Sequence, residues 1–128
     1  MATLKVKDYM TKVPHTIGSE QPLSKAREMM MEYSIRHLPV LHGGKLEGIL
    51  SSRDIEIVES FKDVDPDSTK VEEAYTPDAY TTTPDMSLKD LCGDLAENKY
   101  GCALVLESGK LVGIFTWVDA LKALRDLA

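Results

Sequence analysis

Apolar residues follow two different patterns along the chain, and each pattern predicts one type of element. Apolar residues recur every three or four positions over residues 23–33 and again over residues 88–95, which indicates two amphipathic helices. Each helix is followed by two nearly continuous apolar runs, the pattern of strands that are covered on both faces of a sheet. These runs span residues 38–41, 46–50, 103–106 and 111–115.

Turn and helix-start signals separate these elements. Gly43-Gly44-Lys45 and Ser108-Gly109-Lys110 lie between the paired apolar runs and predict two hairpins. Pro22 suits the first turn of the first helix, where an N–H group is not needed, and Ser87 with Asp90 fits a capping box at the second. Short leading segments are predicted at 15–17 and 80–82, and closing helices at 54–61 and 119–127. Each block therefore has the order β-α-β-β-α.

This order occurs twice because the chain contains an internal repeat. A shift of 65 residues places Gly44–Ile49 on Gly109–Ile114 and Asp54 on Asp119, with about 13 identities in 54 aligned pairs. The predicted division is a first repeat at 1–62, a linker at 63–70 and a second repeat at 71–128. Because about 60 residues bury too little surface to be secure alone, we expect an α/β (α+β) fold in which two βαββα repeats pack sheet to sheet with pseudo-two-fold symmetry.

The composition narrows the class of protein. A net charge of −6 and a pI near 5.0 disfavour binding to a nucleic acid duplex, whose phosphates require clustered Lys and Arg. No apolar run approaches the roughly 20 residues of a membrane-spanning helix, and the N-terminus lacks a signal-peptide stretch, so no membrane insertion is expected. The two cysteines suggest no disulfide framework, and the sequence indicates a cytoplasmic protein with free, buried thiols.

The second long strand of each repeat ends in a shared motif. Gly48-Ile49-Leu50-Ser51-Ser52-Arg53-Asp54 and Gly113-Ile114-Phe115-Thr116-Trp117-Val118-Asp119 both have Gly, two apolar residues, Ser or Thr, and Asp at a helix start. In this order of elements the motif resembles the CBS domain, and Ser51-Ser52-Arg53-Asp54 is also similar to the regulatory module of inosine monophosphate dehydrogenase. The resemblance covers nearly the whole chain, which looks like a stand-alone tandem CBS pair, or Bateman module.

The resemblance implies a regulatory protein and not an enzyme. CBS pairs bind adenosyl ligands in clefts between their two repeats, and they commonly dimerise through their helices. For this chain it implies a small-molecule nucleotide ligand (AMP, ADP or ATP before S-adenosylmethionine), no required cofactor, a homodimer and a regulated protein that the sequence does not identify.

The resemblance assigns the ribose of the ligand to Asp54 and Asp119, since a carboxylate offers two acceptor oxygens to a cis-diol. Ser51 and Thr116 would then donate a hydroxyl group to phosphate or ribose at a helix start, where free N–H groups also favour anions. The same Ser/Thr-x-x-Asp spacing is a helix capping box. A structural role is therefore the alternative, and the two roles can coexist.

Basic residues are concentrated in the first repeat. By the resemblance, Arg36, His37 and Arg53 face the phosphates, because Arg offers a bidentate fork and His is cationic if its pKa rises beside a phosphate. The alternative is a solvated Arg and a His whose hydrogen bonds are satisfied within the protein. The equivalents in the second repeat are uncharged, so we expect two non-equivalent sites; they are Gly101, Cys102 and Val118.

The adenine or the phosphate is expected beside the leading segments and the first long strand. The residues that the resemblance assigns there are Thr16, Ile17, Pro39, Thr81 and Thr82. Taken without the resemblance, all five are ordinary strand residues. Trp117 either stacks on adenine or packs at a subunit or repeat interface.

Metal and catalytic chemistry are disfavoured. The Asp63-x-Asp65-x-Asp67 series does not continue as a calcium loop, because Ser68 and Ala74 stand where Gly and Glu are needed. The cysteines and histidines have no zinc spacing, and no set of nucleophile, base and orienting residue is recognisable.

A ligand-independent dimerisation or interaction module is the alternative function. The closing helices carry apolar residues that would form a helical subunit interface. They are Ile55, Val58, Phe61, Leu121, Leu124 and Leu127. The same residues fit a dimeric nucleotide sensor, so only binding measurements separate the two functions.

Overall fold

The computed structural model describes residues 3–61 and 63–128, so Met1, Ala2 and the predicted repeat end at Lys62 lie outside the described residues. The helices are α1 (Leu23–Tyr33), α2 (Ser52–Glu59), α3 (Leu88–Asn98) and α4 (Trp117–Leu127). The strands are β1 (Thr11–Lys12), β2 (Ile17–Gly18), β3 (His37–His42), β4 (Lys45–Ser51), β5 (Thr76–Pro77), β6 (Thr81–Thr82), β7 (Cys102–Glu107) and β8 (Lys110–Thr116). Short 3₁₀ helices lie at Val6–Asp8 and Val71–Glu73.

The elements form two compact units, each built around one four-stranded sheet. The Asp54 unit comprises His15–Ala79, and its strands lie in the order β2-β3-β4-β5. The Asp119 unit comprises Met1–Pro14 with Tyr80–Ala128, and its strands lie in the order β1-β8-β7-β6. The mixed α/β fold class predicted from the sequence is confirmed.

Within each unit a helix connects two parallel strands and a tight hairpin connects two antiparallel ones. β2 is parallel to β3 and β6 to β7, because α1 and α3 carry the chain back to the same end of the sheet. In the hairpins, Gly43 and Gly44 both have positive φ, as do Ser108 and Gly109. Positive φ at both central residues gives the turn the twist that the flanking strands require, so the two predicted hairpins are confirmed.

The fourth strand of each sheet comes from the leading part of a different repeat. β5 pairs with β4 in the Asp54 unit, and β1 pairs with β8 in the Asp119 unit. Each compact unit therefore contains a segment from both repeats. The repeats 1–62 and 71–128 describe the sequence similarity and not the compact units. A Cβ atom at Gly48 would collide with the backbone oxygen of Thr76. Because this motif glycine has no side chain, β5 can lie close against β4.

Each unit has its own apolar core, in which the helices pack on the sheet. Fully buried members are Leu23, Leu38 and Leu50 in the Asp54 unit, and Leu91, Val105 and Phe115 in the Asp119 unit. Ile55 is also a core residue, with 2% of its surface exposed. Its assignment to a subunit interface is therefore wrong, because α2 turns this side chain toward its own sheet.

The helix starts follow the sequence signals in part. Pro22 is the N-cap of α1 and lies one residue before the first turn. Ser87 is the N-cap of α3, and its Oγ accepts the N–H of Asp90 at 3.4 Å, which is one of the two bonds of the predicted capping box. Within residues 3–61 and 63–128, no helix is long and apolar enough to cross a membrane.

Candidate functional site

Asp54 lies in the first turn of α2, directly after the end of β4. The Oγ of Ser51 accepts the N–H of Asp54 at 3.1 Å, and Oδ2 of Asp54 accepts the N–H of Ser51 at 3.0 Å. These reciprocal bonds form a capping box. The structural role considered for this motif is therefore present, and a ligand role depends on what else the carboxylate can accept.

A second residue reaches the Asp54 carboxylate from β5. The hydroxyl of Thr76 donates to it, with Oγ1 at 3.2 Å from Oδ1 and 3.3 Å from Oδ2. The Ser51 N–H and the Thr76 hydroxyl are thus two donors to a group that can accept about four hydrogen bonds. Because Asp54 is only half-buried, the remaining lone pairs are open to a hydroxyl group of a ligand.

The same arrangement recurs at the start of α4. Oδ2 of Asp119 accepts the N–H of Thr116 at 2.9 Å and lies 3.4 Å from the Thr116 hydroxyl. The hydroxyl of Thr11, in β1, donates to Oδ1 at 3.3 Å. Asp119 is 4% exposed. The two carboxylates have equivalent partners within the protein, but Asp54 offers more surface to a ligand.

Thr11 and Thr76 are functional candidates that the sequence analysis did not single out. They are 65 residues apart and identical, so the repeat contained the signal. Their role depends on the position of the outer strands, because Thr11 is 108 residues from Asp119 and Thr76 is 22 residues from Asp54. Sequence spacing alone does not show which strand lies beside the Asp motif.

His37 begins β3, directly opposite Ser51 in β4. Burial lowers the pKa of His37, and the Arg36 charge lowers it further, against an opposing effect of the Asp54 carboxylate. His37 is therefore mainly neutral at pH 7. A bound phosphate would have to reverse this shift to produce the cation that the sequence analysis considered.

Arg36 and Arg53 lie on the helical side of the Asp54 unit, and both are exposed. The carbonyl of Arg36 accepts the N–H of Ser52 at 2.9 Å, which ties the segment before β3 to the start of α2. Both arginines line a groove of about 630 Å³ between α1 and α2. A third guanidinium group in this groove belongs to Arg27, an exposed helix residue for which the sequence contained no motif.

The residues assigned to the adenine or the phosphate differ in accessibility. Thr16 is half-buried and Thr81 is exposed, so both present surface. Ile17, Pro39 and Thr82 are buried, and Ile17 belongs to the core of the Asp54 unit. A ligand can contact these three side chains only if their surroundings open.

Trp117 projects from the first turn of α4 with 59% of its surface exposed. Its Nε1 donates to the carbonyl of Tyr100 at 2.8 Å, and the Tyr100 ring stacks on Tyr80. Burial and a hydrogen bond to Asp94 raise the pKa of Tyr80 to about 12. The indole ring is thus anchored at one edge with its surface exposed, which is compatible with both roles considered for it.

The described residues show no metal centre and no activated thiol. Among residues 3–61 and 63–128, no group of three or more His, Cys, Asp and Glu side chains is arranged to hold a metal ion. Cys92 and Cys102 are free but half-buried, which corrects the expectation of buried thiols. Burial raises the pKa of Cys102 to about 12, so this thiol stays protonated at neutral pH and is a weak nucleophile.

Two βαββα repeats, each with a capped Ser/Thr-x-x-Asp helix start, define a tandem pair of small α/β domains. The sequence model of the CBS domain matches residues 6–57 and 64–126. The chain belongs to the CBS domain family, whose members are typically regulatory modules and not catalysts.

Comparisons with individual proteins agree with this assignment. The CBS domain-containing protein YhcV of Bacillus subtilis (strain 168) is 30% identical over 96% of this chain and 82% of its own length. Inosine-5'-monophosphate dehydrogenase of Korarchaeum cryptofilum (strain OPF8) is 32% identical over 81% of this chain, but the match covers 21% of that enzyme. The CBS domain pair of protein MJ0100 was solved with 5'-methylthioadenosine and S-adenosyl-L-methionine. It superimposes on this chain with a TM-score of 0.89 at 24% sequence identity, over 99% of this chain and 100% of the MJ0100 chain. The similarity shows that the two chains share a fold.

Proposed function

We propose that this CBS pair is a regulatory module that binds an adenosyl compound at Asp54 and transmits its binding to a partner protein. The observation that carries the proposal is the Asp54 carboxylate, which is half-exposed, held by two donors and still able to accept hydrogen bonds. A ribose cis-diol is a donor pair that fits such a group. Ser51, at the same helix start, would contact the ribose or the phosphate.

Phosphorylated ligands are favoured over S-adenosylmethionine by the charges near Asp54. Arg53 precedes Asp54 on α2, and Arg36 precedes His37 on β3, opposite Ser51. Arginine binds phosphate oxygens in pairs, so AMP, ADP and ATP are the preferred candidates. A site that accepts all three would respond to their ratio. We assign a minor role to Asp119, Thr116 and the residues around them because Asp119 is buried.

The likeness to the MJ0100 pair supports an adenosyl ligand only as a class. That protein was solved with 5'-methylthioadenosine and S-adenosyl-L-methionine, neither of which carries a phosphate. Regulation further requires that the ligand bind two arrangements of the module with different affinity, since equal affinity shifts no equilibrium.

Calorimetric titration with AMP, ADP, ATP and S-adenosylmethionine tests the proposal. Asp54→Asn is the informative variant, because the amide oxygen can still cap α2 while the charge and one acceptor are lost. We expect about a tenfold loss of affinity for the ligand that binds, and a smaller loss in Asp119→Asn. Asp8→Asn is the matched control, since Asp8 accepts the N–H of Lys5 at 2.8 Å in another capping box. Absence of heat with all four ligands would refute the proposal.

A second candidate function, dimerisation, is favoured by the surface of α4. Leu121, Leu124 and Leu127 are each more than 60% exposed, although they recur at helical spacing. We propose that this face joins two copies of the chain in a homodimer. Sedimentation velocity should give a dimer for the wild type and a monomer for Leu121→Ser/Leu124→Ser, with Lys122→Ser as control on the same helix. A wild-type monomer at all concentrations would refute it.

A further inference from the structure

Two donors from different parts of the chain hold the carboxylate of Asp54. Ser51 lies three residues before it, and the Ser51 N–H donates to Oδ2 at 3.0 Å. A single donor leaves the carboxylate free to pivot about the bonded oxygen, because the Cβ–Cγ torsion of an aspartate has broad minima. The direction in which the remaining acceptor positions of Asp54 point therefore depends on the second donor, the hydroxyl of Thr76 in β5.

The Thr76 hydroxyl opposes this pivoting because it contacts both carboxylate oxygens. Its Oγ1 lies 3.2 Å from Oδ1 and 3.3 Å from Oδ2, so one proton is shared between them. Movement of Oδ1 about Oδ2 would stretch the shorter contact. Thr76 is exposed, so this bond competes with water and its net contribution to folding is small. Its main effect is therefore on the orientation of Asp54 and not on the stability of the fold.

The same bond helps to attach β5 to the sheet. β5 consists of Thr76 and Pro77, which pair with Ile49 and Gly48 of β4. Pro77 has no N–H to donate to the neighbouring strand. Because the backbone of so short a strand makes few hydrogen bonds, the bond from Thr76 to Asp54 is an important part of the attachment of β5.

We propose that Thr76 is a positioning residue, which orients the Asp54 carboxylate for the cis-diol of a ribose and couples β5 to ligand binding. A carboxylate that is already oriented loses less freedom when the ligand binds, so the affinity is higher. A ribose presents two hydroxyl groups in a fixed relation, and its hydrogen bonds are therefore sensitive to the direction of the acceptor. Thr76 acts through Asp54 and needs no contact of its own with the ligand.

This coupling is reciprocal, so the ligand acts on β5 as β5 acts on the ligand. A ligand that fixes Asp54 in the orientation favoured by Thr76 strengthens the attachment of β5 to the sheet. β5 is the last strand of the Asp54 unit before the chain passes into the Asp119 unit at Tyr80. Binding at Asp54 thereby reaches the segment that leads out of the unit. The inference rests on the proposed function, because it requires a ribose at Asp54.

Titration of the full chain with AMP, ADP, ATP and S-adenosylmethionine tests the proposal, since all four carry the ribose cis-diol. Thr76→Val removes the hydroxyl group and keeps the shape of the side chain, and we expect it to weaken binding about fivefold. Thr76→Ser keeps the hydroxyl group and should stay within about twofold of the wild type. Thr69→Val is the matched control, because Thr69 lies in the predicted linker, and it should also stay within about twofold.

A double-mutant cycle shows whether Thr76 acts through Asp54. In Asp54→Asn, where the carboxylate is already lost, Thr76→Val should change affinity by less than about twofold. Amide hydrogen exchange provides a readout of β5 itself. A saturating ligand should slow exchange over residues 74–79 in the wild type but not in Thr76→Val.

The outcomes separate this proposal from the proposed function. If Asp54→Asn weakens binding and Thr76→Val does not, Thr76 has no positioning role and the proposed function stands. If Thr76→Ser weakens binding as much as Thr76→Val, the hydroxyl is not the group that acts, and the proposal is wrong. Stronger binding by Thr76→Val would also overturn it, because the hydroxyl would then compete with the ligand for Asp54. If the wild type binds none of the four compounds, both proposals fail together.

Discussion

The two units have equivalent helices, α1 with α2 and α3 with α4, but the side chains that these helix pairs expose differ in charge. In the Asp54 unit the groove between α1 and α2 carries three arginines. At the positions 65 residues later the Asp119 unit has no basic residue; its equivalents are Cys92, Gly101 and Val118. In addition, Trp117 replaces Ser52 and Leu121 replaces Glu56. The fold thus does not require charge on this face, which carries guanidinium groups in one unit and mainly apolar side chains in the other.

The two Asp motifs differ in burial and not in their bonding within the protein. Each carboxylate accepts a backbone N–H from its N-cap residue and a hydroxyl from an outer strand. Asp54 is half-buried, whereas Asp119 is 4% exposed. The bonds within the protein are the same in both units, so only the difference in exposure supports Asp54 over Asp119 as the proposed ligand site.

The largest predicted difference between the units concerns the motif glycines. We expect Gly48→Ala to destabilise the protein by about 3 kcal/mol, because its Cβ would meet the backbone oxygen of Thr76. Gly113→Ala should cost less, about 1 kcal/mol, because the nearest atom is Sδ of the flexible Met10 side chain, at 2.7 Å, and the backbone oxygen of Thr11, at 3.0 Å, is farther from the added Cβ than the Thr76 oxygen is at Gly48. Urea unfolding measures both values. Equal losses would show that the two outer strands are equally tight.

A smaller difference is expected for removal of the two capping carboxylates. Asp119→Ala should cost about 2 kcal/mol, because Asp119 is 4% exposed and water cannot readily replace its carboxylate as the acceptor of the Thr116 N–H and the Thr11 hydroxyl. Asp54→Ala should cost about 1 kcal/mol, since water can replace the carboxylate at a half-exposed position. Thermal unfolding of both variants provides the comparison. A greater loss in Asp54→Ala would contradict the assignment of Asp119 as the more structural of the two.

The smallest predicted effect is the pH dependence that His37 gives to one unit. Burial holds the pKa of His37 below 6.5, so the unfolded chain binds more protons than the folded one near that pH. The contribution of His37 to stability is therefore complete above pH 6.5 and decreases as the pH falls through the pKa of the folded state. The equivalent Cys102 has a pKa of about 12 and does not titrate in this range.

Melting temperatures from pH 8 to pH 5 test this prediction. His37→Asn should lose less stability on acidification than the wild type, whereas Cys102→Ala should follow the wild-type curve. Identical pH curves for wild type and His37→Asn would mean that the ring is not kept neutral by burial. A saturating phosphate ligand should reduce the acid sensitivity of the wild type, because it favours the imidazolium form.

Most of the fold could be predicted because local signals agree with one another. Apolar spacing located α1 and α3, the Gly-Gly and Ser-Gly turns located both hairpins, and the repeat showed that the same unit occurs twice. The burial of Ile55 was not predictable, because α2 is a short helix with an apolar residue on more than one side. Only its packing against the sheet decides which side is inside.

The sequence analysis singled out some residues of the candidate site and missed others. The Asp motifs and the basic residues Arg36, His37 and Arg53 are recognisable from the repeat and from the family motif. Thr76 and Arg27 are not, because neither is close in sequence to the group that it accompanies. A hydroxyl on an outer strand and a guanidinium group on a preceding helix acquire their roles only when the sheet and the helix pair are assembled.

The sequence by itself determined the repeat, the β-α-β-β-α order within each copy and the hairpins, since these depend on neighbouring residues and on backbone geometry. The tertiary structure decided the outer strand of each sheet and therefore the hydroxyl partner of each Asp. It also decided that Asp119 is buried while Asp54 keeps exposed surface, and that three arginines from separate segments line one groove. Burial of a side chain, and the meeting of side chains from separate segments, arise only when elements pack together. Two copies with equivalent local signals can therefore differ in both.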